Sequence, residues 1–129
     1  MRPEHPIKNA VLIQSPDIPR WLASHRDALD PEQWFITPPA IGRGLGLGWV
    51  QAMQQSLEEH NSQWRVLADC GEFAGDAATA IGLGVPGIVF TGGSFDDSGT
   101  DAVEKRLASM AEQRRVVFLT TPPPIVAMA

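Results

Sequence analysis

The sequence predicts an α/β fold: one three-layer domain with a mostly parallel five-stranded sheet, flavodoxin-like in arrangement. Three observations carry that reading. Short runs of apolar and β-branched residues alternate with stretches at helical spacing about five times along the chain. The run at 87–91 (G-I-V-F-T) is apolar without a break, as strands covered on both faces are. The chain has 129 residues, the size of one domain with one core, and no composition shift marks a linker. The alternative is a (βα) half-barrel with strands in sequential order, which would leave an apolar edge and call for a homodimer.

Taken in order, residues 1–9 form a loose start, and 10–14 (A-V-L-I-Q) is a bounded apolar run suited to a buried strand. Ser15-Pro16-Asp17 reads as a helix start, with serine as cap and proline at the first helical position, followed by Trp21, Leu22, His25 and Leu29 at helical spacing. After Asp30-Pro31 the aromatic, β-branched run 33–37 (Q-W-F-I-T) is a second strand, closed by Pro38-Pro39. A glycine-rich loop over 41–48 leads into a helix whose face is Val50, Met53 and Leu57 and which frays near Asn61.

The third strand is 65–69 (R-V-L-A-D), and Cys70-Gly71-Glu72 turns into an alanine-rich helix from about Ala74 to Leu83, stopped by Gly82 and Gly84. The fourth strand at 87–91 is followed by a polar loop over 92–99, and Asp101 with Glu104 can form a capping box for a helix bearing Val103, Leu107 and Met110. Residues 115–120 are the fifth strand. The tail 121–129 opens with three prolines, which cannot donate to a ladder, and reads as an extended wrap.

Fifteen acidic against ten basic residues give a net charge of -5, which repels a polyanion, so no nucleic-acid partner is expected. The basic pairs Lys105-Arg106 and Arg114-Arg115 suit a solvated helix end. A lone cysteine, Cys70, makes no internal disulfide, and the polar N-terminus is unlike a secretory leader, so a cytoplasmic location is expected. No apolar run reaches the roughly 18 residues of a membrane helix, so no membrane partner is expected. Neither a metal nor another cofactor is expected, since no histidines or cysteines stand at ligand spacing. The tryptophans Trp21, Trp34, Trp49 and Trp64 read as packing residues.

In a parallel sheet the loops after the strands gather at one rim, where helix N-termini present unpaired N–H groups. That rim would collect Ser15, Asp17, Thr37, the loop residues Gly42, Arg43 and Gly44, then Asp69, Cys70, Gly71 and Glu72, then Thr91, Gly92, Gly93 and Ser94, and Thr120 with Thr121. Asp69 and Cys70 are the candidates for catalysis: a thiol near a helix start can be acidified, and a carboxylate beside it can act as base. The competing readings are a buried structural cysteine and an aspartate that forms a turn. The run Gly42-Arg43-Gly44-Leu45-Gly46-Leu47-Gly48 has the composition of a phosphate cradle but not the spacing, and no lysine or hydroxyl follows it. Thr91-Gly92-Gly93-Ser94 has a similar look, and the absence of paired acids after the first strand argues against a phosphoacceptor site.

The pattern of a strand, then D-C-G at 69–71, an alanine-rich helix and a strand ending F-T-G at 90–92 resembles a group of short, uncharacterised bacterial α/β proteins. The resemblance covers roughly the second half of the chain. It implies a bacterial α/β domain and no known activity. Three functions are therefore expected in order: binding of a small anionic metabolite at the rim, an enzyme using Asp69 or Cys70 there, and a homodimeric interaction or scaffolding protein.

Overall fold

The computed structural model describes residues 7–14, 17–92 and 97–128. Six strands, β1 (Ala10–Leu12), β2 (Trp34–Ile36), β3 (Arg65–Gly71), β4 (Gly87–Phe90), β5 (Val117–Leu119) and β6 (Ile125–Met128), pair in the order β5-β4-β3-β2-β1-β6. Every pairing is parallel. The helices α1 (Ile18–His25), α2 (Leu47–His60), α3 (Ala74–Leu83) and α4 (Asp97–Arg114) lie between the first five strands. The α/β class and the parallel sheet are as the sequence predicts. No described helix is long and apolar enough to cross a membrane.

Two points of architecture differ from expectation. The sheet has six strands because the end of the proline-rich tail pairs with β1: the three prolines lie in the link, and only the donor-bearing residues after them join the ladder. The strand order from β1 to β5 is sequential, as in the half-barrel alternative. A flavodoxin-like sheet would instead place β2 outside β1. Right-handed crossovers that always step the same way bring every helix to the same face. One core cluster accordingly joins Val11, Phe35, Val66, Ala68, Cys70 and Ile88 to buried residues of all four helices. The alternate strand residues, Ala10, Trp34, Ile36, Leu67, Val89 and Leu119, form a second cluster with Ile7 and no described helix residue.

That second face is buried although no described helix lies on it, and the chain's own length gives one reason. From Leu119 to Ile125 are six residue steps, at most about 21 Å. The two strands stand five positions apart, roughly 24 Å across a flat sheet. The sheet must therefore curl so that its edges approach, which turns the helix-free face into a concave core. Across that face the Trp34 ring reaches past β3: a Cβ on Gly87 of β4 would stand 3.2 Å from Trp34 Cζ3 and 2.6 Å from Leu67 Cδ2.

Local signals account for most boundaries. The helix α1 is capped by Asp17, whose side chain accepts from the Arg20 N–H at 3.3 Å, with Pro19 in the first turn. The cap is thus not Ser15, which lies outside the described residues. The helix α4 starts a turn before Asp101, so an Asp101 capping box does not begin it. Val50, Met53 and Leu57 are the buried face of α2, as expected.

The left-handed residue that ends α3 is Gly84 (φ 76), whereas α4 ends on Arg115 (φ 57), with the Val116 N–H on the Ala111 carbonyl at 2.9 Å. Opposite outcomes are expected for two substitutions in urea denaturation: Gly84→Ala destabilises by about 1 kcal/mol, while Arg115→Gly stabilises by roughly 0.5–1 kcal/mol. Equal signs would show that these helix ends are not held in the left-handed geometry.

Candidate functional site

The carboxyl ends of β2, β3 and β4 are tied together by short polar contacts. After β2, the Thr37 hydroxyl oxygen accepts the Asp69 N–H at 3.0 Å and donates to the Pro38 carbonyl at 3.0 Å. At the end of β3, Asp69 Oδ1 accepts the Gly71 N–H at 3.0 Å, and the Gly71 carbonyl accepts the Thr91 N–H at 2.9 Å. The pairing of β3 with β4 shifts register between Asp69 and Gly71, which lets the chain turn there.

At or just beyond each of these three strand ends stands one residue with left-handed backbone: Ala40 (φ 53), Gly71 (φ 57) and Gly92 (φ 73). At Ala40 that geometry costs about 1 kcal/mol. A Cβ on Gly71 would lie 3.6 Å from that of Ala40, so the two turns pack together. Above them opens a cavity of about 460 Å³, with Pro39 and Ala40 on one side, Gly71, Glu72 and Phe73 in the middle, and Thr91 and Gly92 on the other. Of the residues that the sequence places at the rim, Gly71, Glu72, Thr91 and Gly92 line this cavity, and Gly42, Arg43, Gly44, Asp69 and Cys70 do not.

Strand alternation sends Asp69 and Cys70 to opposite faces of the sheet. Asp69 follows Leu67 onto the helix-free side, in register with Val89, and is 7% exposed. Burial pushes its carboxyl above the usual range, and the Gly71 N–H draws it partly back. Among the described residues its Oδ2 has no hydrogen-bond partner. Cys70 points into the helix-side core, fully buried, with its thiol donating to the Ala68 carbonyl at 3.7 Å. Burial, then the charges of Asp69 and Asp76, push that thiol up to about 12. A nucleophilic Cys70 therefore gains no support, because the thiolate is disfavoured and the sulfur is enclosed.

The glycine loop reaches the rim by docking on α3. Arg43 Nε stands 3.1 Å from Asp76 Oδ2, a charge contact and not an aligned hydrogen bond, and its guanidinium lies 4.4 Å over the Phe73 ring. A Cβ on Gly42 would meet Asp76 Cγ at 2.7 Å, so a glycine is needed for this approach. Gly44 closes the turn on the Ile41 carbonyl at 3.2 Å and does not line the cavity. Ser15, Gly93 and Ser94 lie outside the described residues. Phe73, Asp76 and Ala40 were not anticipated. Asp76 has a readable signal, an acid in the first turn of a helix, whereas Ala40 has none.

Of the other hollows, two border the sheet away from this rim. One of about 300 Å³ lies at the amino ends of β2 and β3, where Gln33 bonds Asn9 and its neighbouring carbonyl and Arg65 stacks on Trp34 at 4.5 Å. These contacts close the end of the sheet, where parallel folds place stability and not chemistry. The other lies between α1 and β6, lined in part by Trp21, His25, Leu29 and Val126. Among the described residues no group of three acid, histidine or cysteine side chains converges as a metal ion would require. No protein-family model, curated protein or solved structure matches the chain.

Two outcomes follow from the opposed orientations. Cys70 in the folded protein should react with a thiol reagent at neutral pH far more slowly than in urea, and equal rates would contradict its enclosure. Asp69→Asn keeps an acceptor for the Gly71 N–H but removes a charge that folding disfavours. Between the unfolded carboxyl value, 3.8, and the raised folded value, the native state of the parent binds more protons, so its stability falls as pH rises. The variant should gain on the parent through that window and hold a constant advantage above it, as read by thermal melts across pH.

Proposed function

We propose that this chain is a binding module for a small anionic metabolite, seated at the carboxyl ends of β2, β3 and β4. The observation that carries the reading is the cavity bordered by three residues with left-handed backbone, two of them glycines that add no side chain to its wall. Arg43 stands beside Phe73 with its remaining guanidinium donors available to an anion, and α3 begins there without a side-chain cap. The charge balance limits the ligand. The rim holds the acids Asp69, Glu72 and Asp76 against one described arginine, Arg43, which is paired with Asp76, and this balance suits one negative charge, as in a carboxylate, better than a polyphosphate. A cytoplasmic setting goes with this reading, on the strength of the unpaired cysteine.

A second reading, a homodimer, has its own observation in β6, an edge strand whose Ile125 and Val126 are 45% and 58% exposed. Of the two groups that an enzyme would use, Asp69 keeps an oxygen open and Cys70 does not.

In thermal melts with pyruvate or inorganic phosphate at millimolar concentration, pyruvate should raise the midpoint, toward about 2.7 kcal/mol of stabilisation at a hundredfold excess over Kd. Arg43→Gln should diminish the shift. No response to either probe would overturn the metabolite reading. Sedimentation tests the dimer: a concentration-dependent dimer lost in Val126→Lys supports it, and a strict monomer at all concentrations removes it.

A further inference from the structure

The hollow between α1 and β6 has a volume of about 530 Å³, the size of a small-molecule site, and lies away from the rim. One wall is apolar, made of Trp21, Ala28, Leu29 and Val126, the last 58% exposed. The His25 ring lies flat on the Trp21 indole, 7° from parallel with centroids 4.3 Å apart, so the lining is aromatic as well. Asn9, Asp30 and Gln33 complete it from the segments that lead into β1 and β2.

Hydrogen bonds already made decide which atoms of these polar side chains are left for a ligand. Gln33 is 4% exposed, and its Nε2 stands 2.9 Å from the Trp34 carbonyl, which can only accept, so this atom is the amide nitrogen. The Asn9 atom 2.9 Å from that nitrogen must then be its oxygen, Oδ1, and the Nδ2 donors of Asn9 are left over. Gln33 Oε1 accepts the Asp30 N–H at 3.3 Å. Gln33 therefore has both amide protons in use and holds Asn9 in this orientation. The same reasoning fixes His25: its Nδ1 stands 2.8 Å from the Trp21 carbonyl and carries the proton, so in the neutral ring Nε2 is an acceptor. Asp30 Oδ1 accepts the Glu32 N–H at 2.8 Å, which leaves Oδ2. Among the described residues the hollow thus keeps a donor at Asn9 and acceptors at His25 and Asp30, beside an apolar and aromatic wall.

We propose that this hollow is a binding site, separate from the rim, for a small planar ring that carries a carbonyl and an N–H side by side, as in an aromatic carboxamide or a pyrimidine base. The ligand carbonyl accepts from Asn9 Nδ2, its N–H donates to Asp30 Oδ2 or His25 Nε2, and its ring rests on the apolar wall. A carboxylate in place of the amide is disfavoured, because it brings a second negative charge beside Asp30 and has no N–H to give. The site does not depend on the rim reading.

Nicotinamide and uracil are the probes, and nicotinate, the acid of the same shape as nicotinamide, is the comparison. In titrations followed by the ring-proton NMR signals of Trp21 and His25, at least one neutral probe should shift both rings, and nicotinate should bind about tenfold more weakly or not at all. Asn9→Asp keeps an oxygen for Gln33 to hold and turns the open donor into an acceptor, so it should weaken binding of the neutral probe about tenfold or more. Equal affinity for the neutral probe and nicotinate, binding that leaves both ring signals unmoved, no binding of either neutral probe at millimolar concentration, or unchanged affinity in Asn9→Asp would each overturn the proposal. Should Asn9→Asp fail to fold, Val126→Trp at the exposed side of the wall decides: filling the hollow should abolish binding, and undiminished binding would overturn the site.

Discussion

The link between β5 and β6 is the constraint on which the architecture depends. Five residues, three of them proline, join strands that sit at opposite edges of a six-stranded sheet. A flat sheet is too wide for them, so β6 can pair with β1 only if the sheet is curled. The Ala10 N–H on the Pro124 carbonyl at 2.9 Å fixes the start of that pairing, and Pro123 is buried on the way. Curling gives the helix-free side a core of its own, filled by Leu67, Val89, Ile36 and the Trp34 ring lying toward Gly87.

The same constraint shapes the rim. On a helix-free concave face, a side chain at the carboxyl end of a strand lies over an apolar floor, and that is the situation of Asp69. One residue further on, Cys70 belongs to the opposite core, packed under the helices. Adjacent residues that look alike as reactive candidates are thus assigned opposite environments by a period of two. The left-handed turns at Ala40, Gly71 and Gly92 keep the space above them clear, and the docking of Arg43 on Asp76 and Phe73 holds the glycine loop to one side of that space.

Much of this was legible in the sequence, for physical reasons that also explain the gaps. Strand and helix periods are local, so the runs around Val11, Phe35, Leu67, Val89 and Phe118 and the buried face Val50, Met53 and Leu57 could be read directly. Strand order is not local: both doubly wound and sequential sheets produce the same alternation, and the place of β2, between β1 and β3, distinguishes them here. The tail 121–129 reads in sequence as an extended wrap because three prolines open it, yet the residues after the prolines carry the N–H groups that pair. At the rim, glycines marked the turns Gly71 and Gly92. Ala40 was invisible because its left-handed backbone goes against its residue type, and Phe73 because its role comes from contact with Arg43, distant in sequence.

The account stands or falls on β6 lying beside β1. Amide-resolved NMR measures this directly through cross-strand contacts of the Ala127 backbone. Contacts from Ala127 to Val11 in parallel register are the predicted result. Pairing of 125–128 with β5 in place of β1, or rapid amide exchange throughout 125–128 with no cross-strand partner, would contradict the account.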